Sequence, residues 1–200
     1  MKNLMLFFLV VMTIQVPAQV AEVPEAISPL LIGEKIPEGT LKTMGGKTIE
    51  TSSLWKERRT ILIIYRGGWC PFCNTHLSEV GQAQTELRDL GYEIVAISPD
   101  APAQLSKSME THKLVYSLYS DEGCTFIKAM GLAFKAPERY SKKLGEYSDG
   151  TNKELLLPVP SLFIVDGDGQ IMFEYINPNY KVRISKTLLL SVASALAEKM

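Results

Sequence analysis

Residues 65–74, Tyr65-Arg66-Gly67-Gly68-Trp69-Cys70-Pro71-Phe72-Cys73-Asn74 (YRGGWCPFCN), separate two stretches of opposite character. Before them, Thr60 to Tyr65 (TILIIY) is a β-branched apolar run without alternation, the pattern of a strand covered on both faces. After them, Leu77, Val80, Ala83, Leu87 and Leu90 recur three or four apart. That spacing predicts one helix over Pro71–Leu90, stopped by Gly91. Tyr92 to Ile97 (YEIVAI) is the next strand. Strand, helix, strand in this order requires a parallel pair with a right-handed crossover.

Working outward, Leu41–Thr43 and Thr48–Glu50 flank Gly45-Gly46 and predict a small N-terminal β-hairpin. Ala21 to Pro37 carries three prolines and reads as an extended lead-in. Asp100 is placed to cap a second helix that runs to about His112, and Leu114–Tyr119 is a third strand of the central unit. Asp121 is placed to cap a shorter helix, Cys124–Met130. Residues 135–157 read as a long polar loop, and loops of that length are often functional. Ser161–Val165 and Ile171–Ile176 flank Asp166-Gly167-Asp168-Gly169 as an antiparallel hairpin, and Leu188–Lys199 closes the chain as an amphipathic helix. Asp166 to Gln170 also resembles the start of a calcium loop, but Ile171 stands where such a loop needs glycine, so the turn reading wins. The fold class is α/β: one domain with a central mixed sheet flanked by helices and an N-terminal hairpin extension.

The break at 65–74 is where chemistry is expected. Cys70 falls at the N-cap and Pro71 at the first helical position, where its missing N–H costs nothing. Cys73 falls in the first turn. Both sulfurs then lie near free N–H groups and the positive end of the helix dipole, which favour the reactive thiolate. A two-residue spacing lets the pair close and reopen a small disulfide. Arg66 would add positive potential, and Trp69 flanks the pair. A zinc site needs about four ligands, and only Cys124, His76 and His112 remain to supply the others, so no metal is expected. Cys124 opens a short helix and reads as a small buried hydrophobe, with a resolving role as the alternative. His76 and His112 read as helix-surface residues.

The 200 residues carry 21 Lys+Arg against 22 Asp+Glu, a balance that excludes a nucleic-acid binder working through a bulk basic field. Three cysteines are too few for a disulfide scaffold. Met1-Lys2-Asn3, the apolar run Leu4–Ile14 and the small residues up to Ala18 predict a signal peptide over 1–18, leaving a domain over 19–200. The apolar run is shorter than the ~20 residues a membrane span needs, so no stable membrane insertion is expected after cleavage. The product would be exported, to the periplasm if the source is a Gram-negative bacterium.

These segments resemble a known family. WCPFC after a strand is similar to the active-site CxxC of the thioredoxin-like superfamily. YRGGWCPFCN, YEIVAISPD, SDEGCTFIKAMGL and LPVPSLFIVDGDGQIMFEYINPNYKVRI together resemble the peroxiredoxin-like branch of the alkyl hydroperoxide reductase/thiol-specific antioxidant (AhpC/TSA) family, over residues 33–185. The resemblance implies a thioredoxin-like fold with Cys70 and Cys73 as the redox pair. It also implies a cis bond at Val159–Pro160, opposite the pair, with Val159 free to pair its backbone with a bound substrate chain. Two departures stand out. The peroxiredoxin Pro-x-x-x-Thr/Ser-x-x-Cys motif, placed on Cys73, has Arg66 at the Pro position and Cys70 at the Thr position. The arginine that the family carries on a later strand is replaced by Pro160, and Arg66 is the candidate to stand in for it. Two activities remain open. One is reduction of hydroperoxides, with an external thioredoxin-like reductant; the other is thiol–disulfide exchange on protein disulfides. Neither calls for a cofactor.

Overall fold

The computed structural model describes residues 20–198; the expected signal peptide lies outside them. Nine strands and six α-helices are found among these residues: β1 (Thr40–Thr43), β2 (Thr48–Glu50), β3 (Arg59–Ile64), α1 (Pro71–Gln82), α2 (Gln84–Asp89), β4 (Tyr92–Ser98), α3 (Pro102–His112), β5 (Ser117–Ser120), α4 (Thr125–Ala129), β6 (Ala133–Lys135), α5 (Ser141–Tyr147), β7 (Leu156–Pro158), β8 (Ser161–Val165), β9 (Ile171–Ile176) and α6 (Lys186–Ala197).

Seven strands form one mixed sheet in the order β2-β1-β5-β4-β3-β8-β9. The β3–β4 and β4–β5 pairs are parallel, as the two helical crossovers require, whereas β8 runs antiparallel to β3 and β9 antiparallel to β8. The N-terminal hairpin β1–β2 joins the β5 edge, also antiparallel. Period-two geometry divides β3 between two cores. Ile61, Ile63 and Tyr65 face the layer that holds Cys70, Cys73 and Leu77, and Leu62 and Ile64 face the layer that holds Cys124, Phe126 and Met130. The unbroken apolar run of β3 thus has the cause read from the sequence: both of its faces are covered.

Several local expectations give way. The 71–90 helix is two helices, with Ala83 (φ −93°, ψ 0°) between them. Two carbonyls of α1 take outside donors: Tyr116 Oη donates to Leu77 O at 2.7 Å, and Lys186 Nζ to Gln82 O, at the helix end, at 3.2 Å. Asp100 does not cap α3. Ala101 is the N-cap and Pro102 the first residue, and the Asp100 carboxylate turns back to Gly68. The third parallel strand begins at Ser117, three residues later than Leu114. Residues 135–157 are not a loop: they hold α5 and β7, and β6–β7 is a separate two-stranded sheet. Phe134, Leu144, Leu157 and Val159 give this segment its own small core, hidden in a sequence that is polar on average. Asp121 does cap α4, accepting from Thr125 N at 2.9 Å and Ile127 N at 2.8 Å.

Candidate active site

The Gly67-Gly68 turn explains how β3 hands the chain to α1. Gly67 sits at φ +132°, a conformation L side chains rarely adopt. A Cβ there would lie 2.5 Å from both Asp100 Oδ1 and Trp69 Nε1, and one on Gly68 would lie 1.9 Å from Ser108 Oγ. The glycines therefore let a buried carboxylate approach the backbone. Asp100 Oδ2 accepts the Gly68 N–H at 2.7 Å, Asn74 Nδ2 donates to Gly68 O at 2.8 Å, and Cys70 N donates to Gly67 O at 3.1 Å. This clasp fixes Cys70 as N-cap of α1, with Pro71 at the first position and no side chain capping the helix.

The two sulfurs are both buried but chemically unlike. The Cys73 thiol beside Cys70, aided by the Cys73 backbone N–H and the guanidiniums of Arg66 and Arg183, lowers Cys70 to about 6 against the opposing effect of burial. Burial and the neighbouring Cys70 push Cys73 well above the usual thiol range. At neutral pH the pair is therefore one thiolate and one thiol. Arg183, which the sequence reading missed, donates from Nη2 to Cys73 Sγ at 3.5 Å. Nothing local marks it, since 110 residues separate it from Cys73 and the fold alone brings them together.

Arg66 is 3% exposed and makes no ion pair among the described residues. Its guanidinium lies 5.0 Å from the Trp69 ring, 4.8 Å from Tyr140 and 4.3 Å from Tyr180. Quadrupole attraction from three rings offsets part of the cost of burying it. A cleft of about 530 Å³ opens beside it, with Tyr140, Tyr180, Pro158 and Pro160 among its walls. His76 is not on the helix surface: it is 5% exposed, and burial depresses it to about 4, so it is neutral at pH 7. Burial raises Asp100 to about 7. Eight buried side-chain N or O atoms lack a hydrogen-bond partner among the described residues, and six of them belong to Tyr65, Arg66, Trp69, Asn74, His76 and Asp100. Such groups are uncommon in folded proteins, and their concentration around one pair of thiols marks the site.

Two expectations about the facing proline are corrected. No cis peptide bond occurs among the described residues, so Val159–Pro160 is trans. The chain runs extended from β7 into β8, and Pro160 occupies the position before a strand, where a missing N–H breaks no ladder. Val159 is fully buried; its N–H donates to Leu132 O at 2.9 Å and its carbonyl accepts from Ser161 Oγ at 2.9 Å. It does not offer its backbone to a substrate chain. Cys124 lies in the core on the other face of the sheet, and burial, with the Asp121 charge second, raises its thiol well above the usual range. No cluster of three or more His, Cys, Asp or Glu side chains able to hold a metal occurs among the described residues.

Residues 32–174 match the model of the AhpC/TSA family. The chain belongs to the AhpC/TSA family. It is thus one of the thiol-based oxidoreductases. A protein of Haemophilus influenzae named as a peroxiredoxin, bcp, is 30% identical over 95 residues, which are 48% of this chain and 61% of that relative. The thiol-disulfide oxidoreductase ResA of Bacillus cereus is 25% identical over 154 residues, 76% of this chain and 74% of the relative. Among solved structures, peroxidoxin BcpB of Mycobacterium tuberculosis superposes with a TM-score of 0.66 at 18% identity, covering 84% of this chain and 97% of the other. This AhpC/TSA chain therefore has the peroxiredoxin form of the thioredoxin-like fold, with a CxxC at the start of α1.

Proposed function

We propose that this protein is an exported thiol peroxidase whose redox centre is Cys70–Cys73. The observation that carries the reading is the inequality of the two sulfurs: a Cys70 thiol lowered to about 6 beside a Cys73 thiol held protonated. The Cys70 thiolate attacks the terminal oxygen of a hydroperoxide. The O–O bond breaks, Cys70 becomes a sulfenic acid, and the alkoxide takes a proton and leaves as the alcohol. Cys73 then attacks the Cys70 sulfur. The S–S bond forms, the S–O bond breaks, and the departing hydroxide leaves as water with the proton Cys73 gives up. A thioredoxin-like dithiol returns two electrons and two protons to restore both thiols. Arg66 and Arg183 stabilise the negative charge on sulfur and on the leaving oxygen.

The similarity to ResA favours a second reading, reduction of protein disulfides. The buried Val159 weighs against it, because an extended polypeptide substrate would need a free main-chain edge beside the pair. Stopped-flow mixing of the reduced protein with hydrogen peroxide separates the two. The peroxidase reading expects rapid peroxide loss and a trapped sulfenic acid on Cys70 in Cys73→Ser. No sulfenic acid in that variant, with insulin disulfides still reduced by the wild type, would reverse the choice. Export rests on residues 1–18, and the N-terminus of the protein recovered from a periplasmic fraction tests it: residue 19 is expected, Met1 would refute it.

A further inference from the structure

Of the seven cation–aromatic contacts among the described residues, six form one connected cluster around the CxxC. Trp69 meets Tyr140 in a tilted pair at 5.5 Å, and Phe72 meets Tyr180 edge-on at 5.7 Å. Arg66 joins the two pairs. Lys143 lies 5.6 Å from the Trp69 ring, Arg139 4.9 Å from Tyr140, and Lys181 5.9 Å from Phe72. The protein as a whole is nearly neutral, yet here four cations and Arg183 surround four rings. None of the three ion pairs among the described residues includes any of these five cations. The apolar part of the face is also open to solvent: Phe72 and Val182 are each 42% exposed.

One exposed ring, Phe72, and the half-buried rings of Trp69, Tyr140 and Tyr180 within a rim of unpaired cations form the composition of a protein-docking surface: aromatic anchors at the centre, charge at the edge. Main-chain pairing has no footing there. Both backbone groups of Val159 are used internally, and the neighbouring cleft is walled by Pro158 and Pro160, which have no N–H to donate. Recognition must come from side chains, and those available at the rim are positive.

We propose that the Trp69–Phe72–Tyr140–Tyr180 face, rimmed by Arg139, Lys143 and Lys181, docks the dithiol protein that reduces the Cys70–Cys73 disulfide, and that this partner presents an acidic surface around its own thiols. The inference rests on the redox assignment of Cys70 and Cys73. In the docked complex a partner thiolate attacks the sulfur of Cys70 and Cys73 leaves as a thiolate. The partner's second thiol then closes its own disulfide and releases Cys70. Two electrons pass to this protein, with two protons, and the partner leaves oxidised. The opposite charges steer encounter, so the rate of reduction carries the salt dependence of an attraction.

The test begins from full-length protein oxidised with diamide, which makes it independent of peroxide turnover. The probe is a reduced thioredoxin of net negative charge, with dithiothreitol as the small reductant that needs no docking face. The ratio of the two rate constants is expected to fall at least tenfold in Lys143→Glu/Lys181→Glu and to be restored in Lys143→Arg/Lys181→Arg. In wild type the thioredoxin rate is expected to fall as sodium chloride is raised, while the dithiothreitol rate falls little. A ratio unchanged by charge reversal, or a thioredoxin rate indifferent to salt, overturns the proposal. If diamide forms no Cys70–Cys73 disulfide, the redox assignment fails and the docking proposal with it. If the disulfide forms but peroxide is not consumed, only the peroxidase reading fails.

Discussion

Cys70 and Cys124 stand at the same kind of place and meet opposite fates. Each is the N-cap of an α-helix and each is at least 99% buried. At Cys70 no side chain caps the helix; the neighbouring Cys73 thiol hydrogen-bonds the sulfur, and the N–H of Cys73 and two arginines add to it. At Cys124 burial is the larger effect, and the Asp121 carboxylate, which has already taken the N–H groups of Thr125 and Ile127, adds to it. Cys70 is extended (φ −93°), whereas Cys124 is left-handed (φ +54°) at the head of a five-residue helix. A cysteine at a helix N-terminus is therefore not activated by position alone. What matters is whether the buried sulfur finds donors there or meets an acceptor that already holds them.

The strongest attempt to break this contrast is to remove each sulfur. Cys70→Ser is expected to slow peroxide consumption by more than about 10³-fold, while Cys124→Ser stays within about twofold of wild type, both read by stopped-flow. Comparable losses in the two variants would make Cys124 a participant. Arg66→Ala tests the electrostatic half of the argument. Loss of a nearby cation is expected to raise the Cys70 thiol toward about 7 and so to slow the peroxide reaction about fivefold at pH 6. An unchanged rate would leave Arg183 as the effective cation.

The pH profile sharpens the comparison further. Cys70 needs its thiolate, so its rate of alkylation by iodoacetamide should climb as pH rises through about 6. Cys124 should stay unmodified across that range until the protein unfolds. The smallest effect concerns Asp100, whose carboxyl is raised by burial to about 7. The folded protein holds this proton more tightly than the unfolded chain, so the stability linked to it is complete below about pH 4 and lost as pH rises through about 7. Asp100→Asn keeps an acceptor for the Gly68 N–H and removes that titration. The difference in Tm between variant and wild type is expected to grow in the variant's favour from pH 4 to pH 7. A constant difference would mean that Asp100 does not titrate there.

Much of this molecule is legible in its sequence. The β3 run, the glycine break and the CxxC together place a cysteine pair at a strand-to-helix junction, and both hairpins lie where their turn residues put them. What escaped depends on contacts distant in the chain. Asp100 looks like a helix cap because a local rule fits it, but the part-buried Gly68 N–H, three elements earlier in the chain, claims its carboxylate. His76 looks exposed because nothing in its helix says that Arg183 and β9 will cover that turn. The 135–157 segment looks like a loop because its few apolar residues pack on one another across the β6–β7 pair, without a period a single element would display. At Val159–Pro160 only the family resemblance implies a substrate contact, and the hydrogen bonds of Val159 close that route.

The central claim is that Cys70 and Cys73 form the redox pair and Cys124 does not. One equivalent of hydrogen peroxide added to the reduced protein, followed by intact mass and mapping of the remaining thiols, tests it most directly. The account predicts the loss of two hydrogens, a Cys70–Cys73 disulfide and a free Cys124. A disulfide that includes Cys124, or an unchanged mass with the peroxide left over, would contradict it.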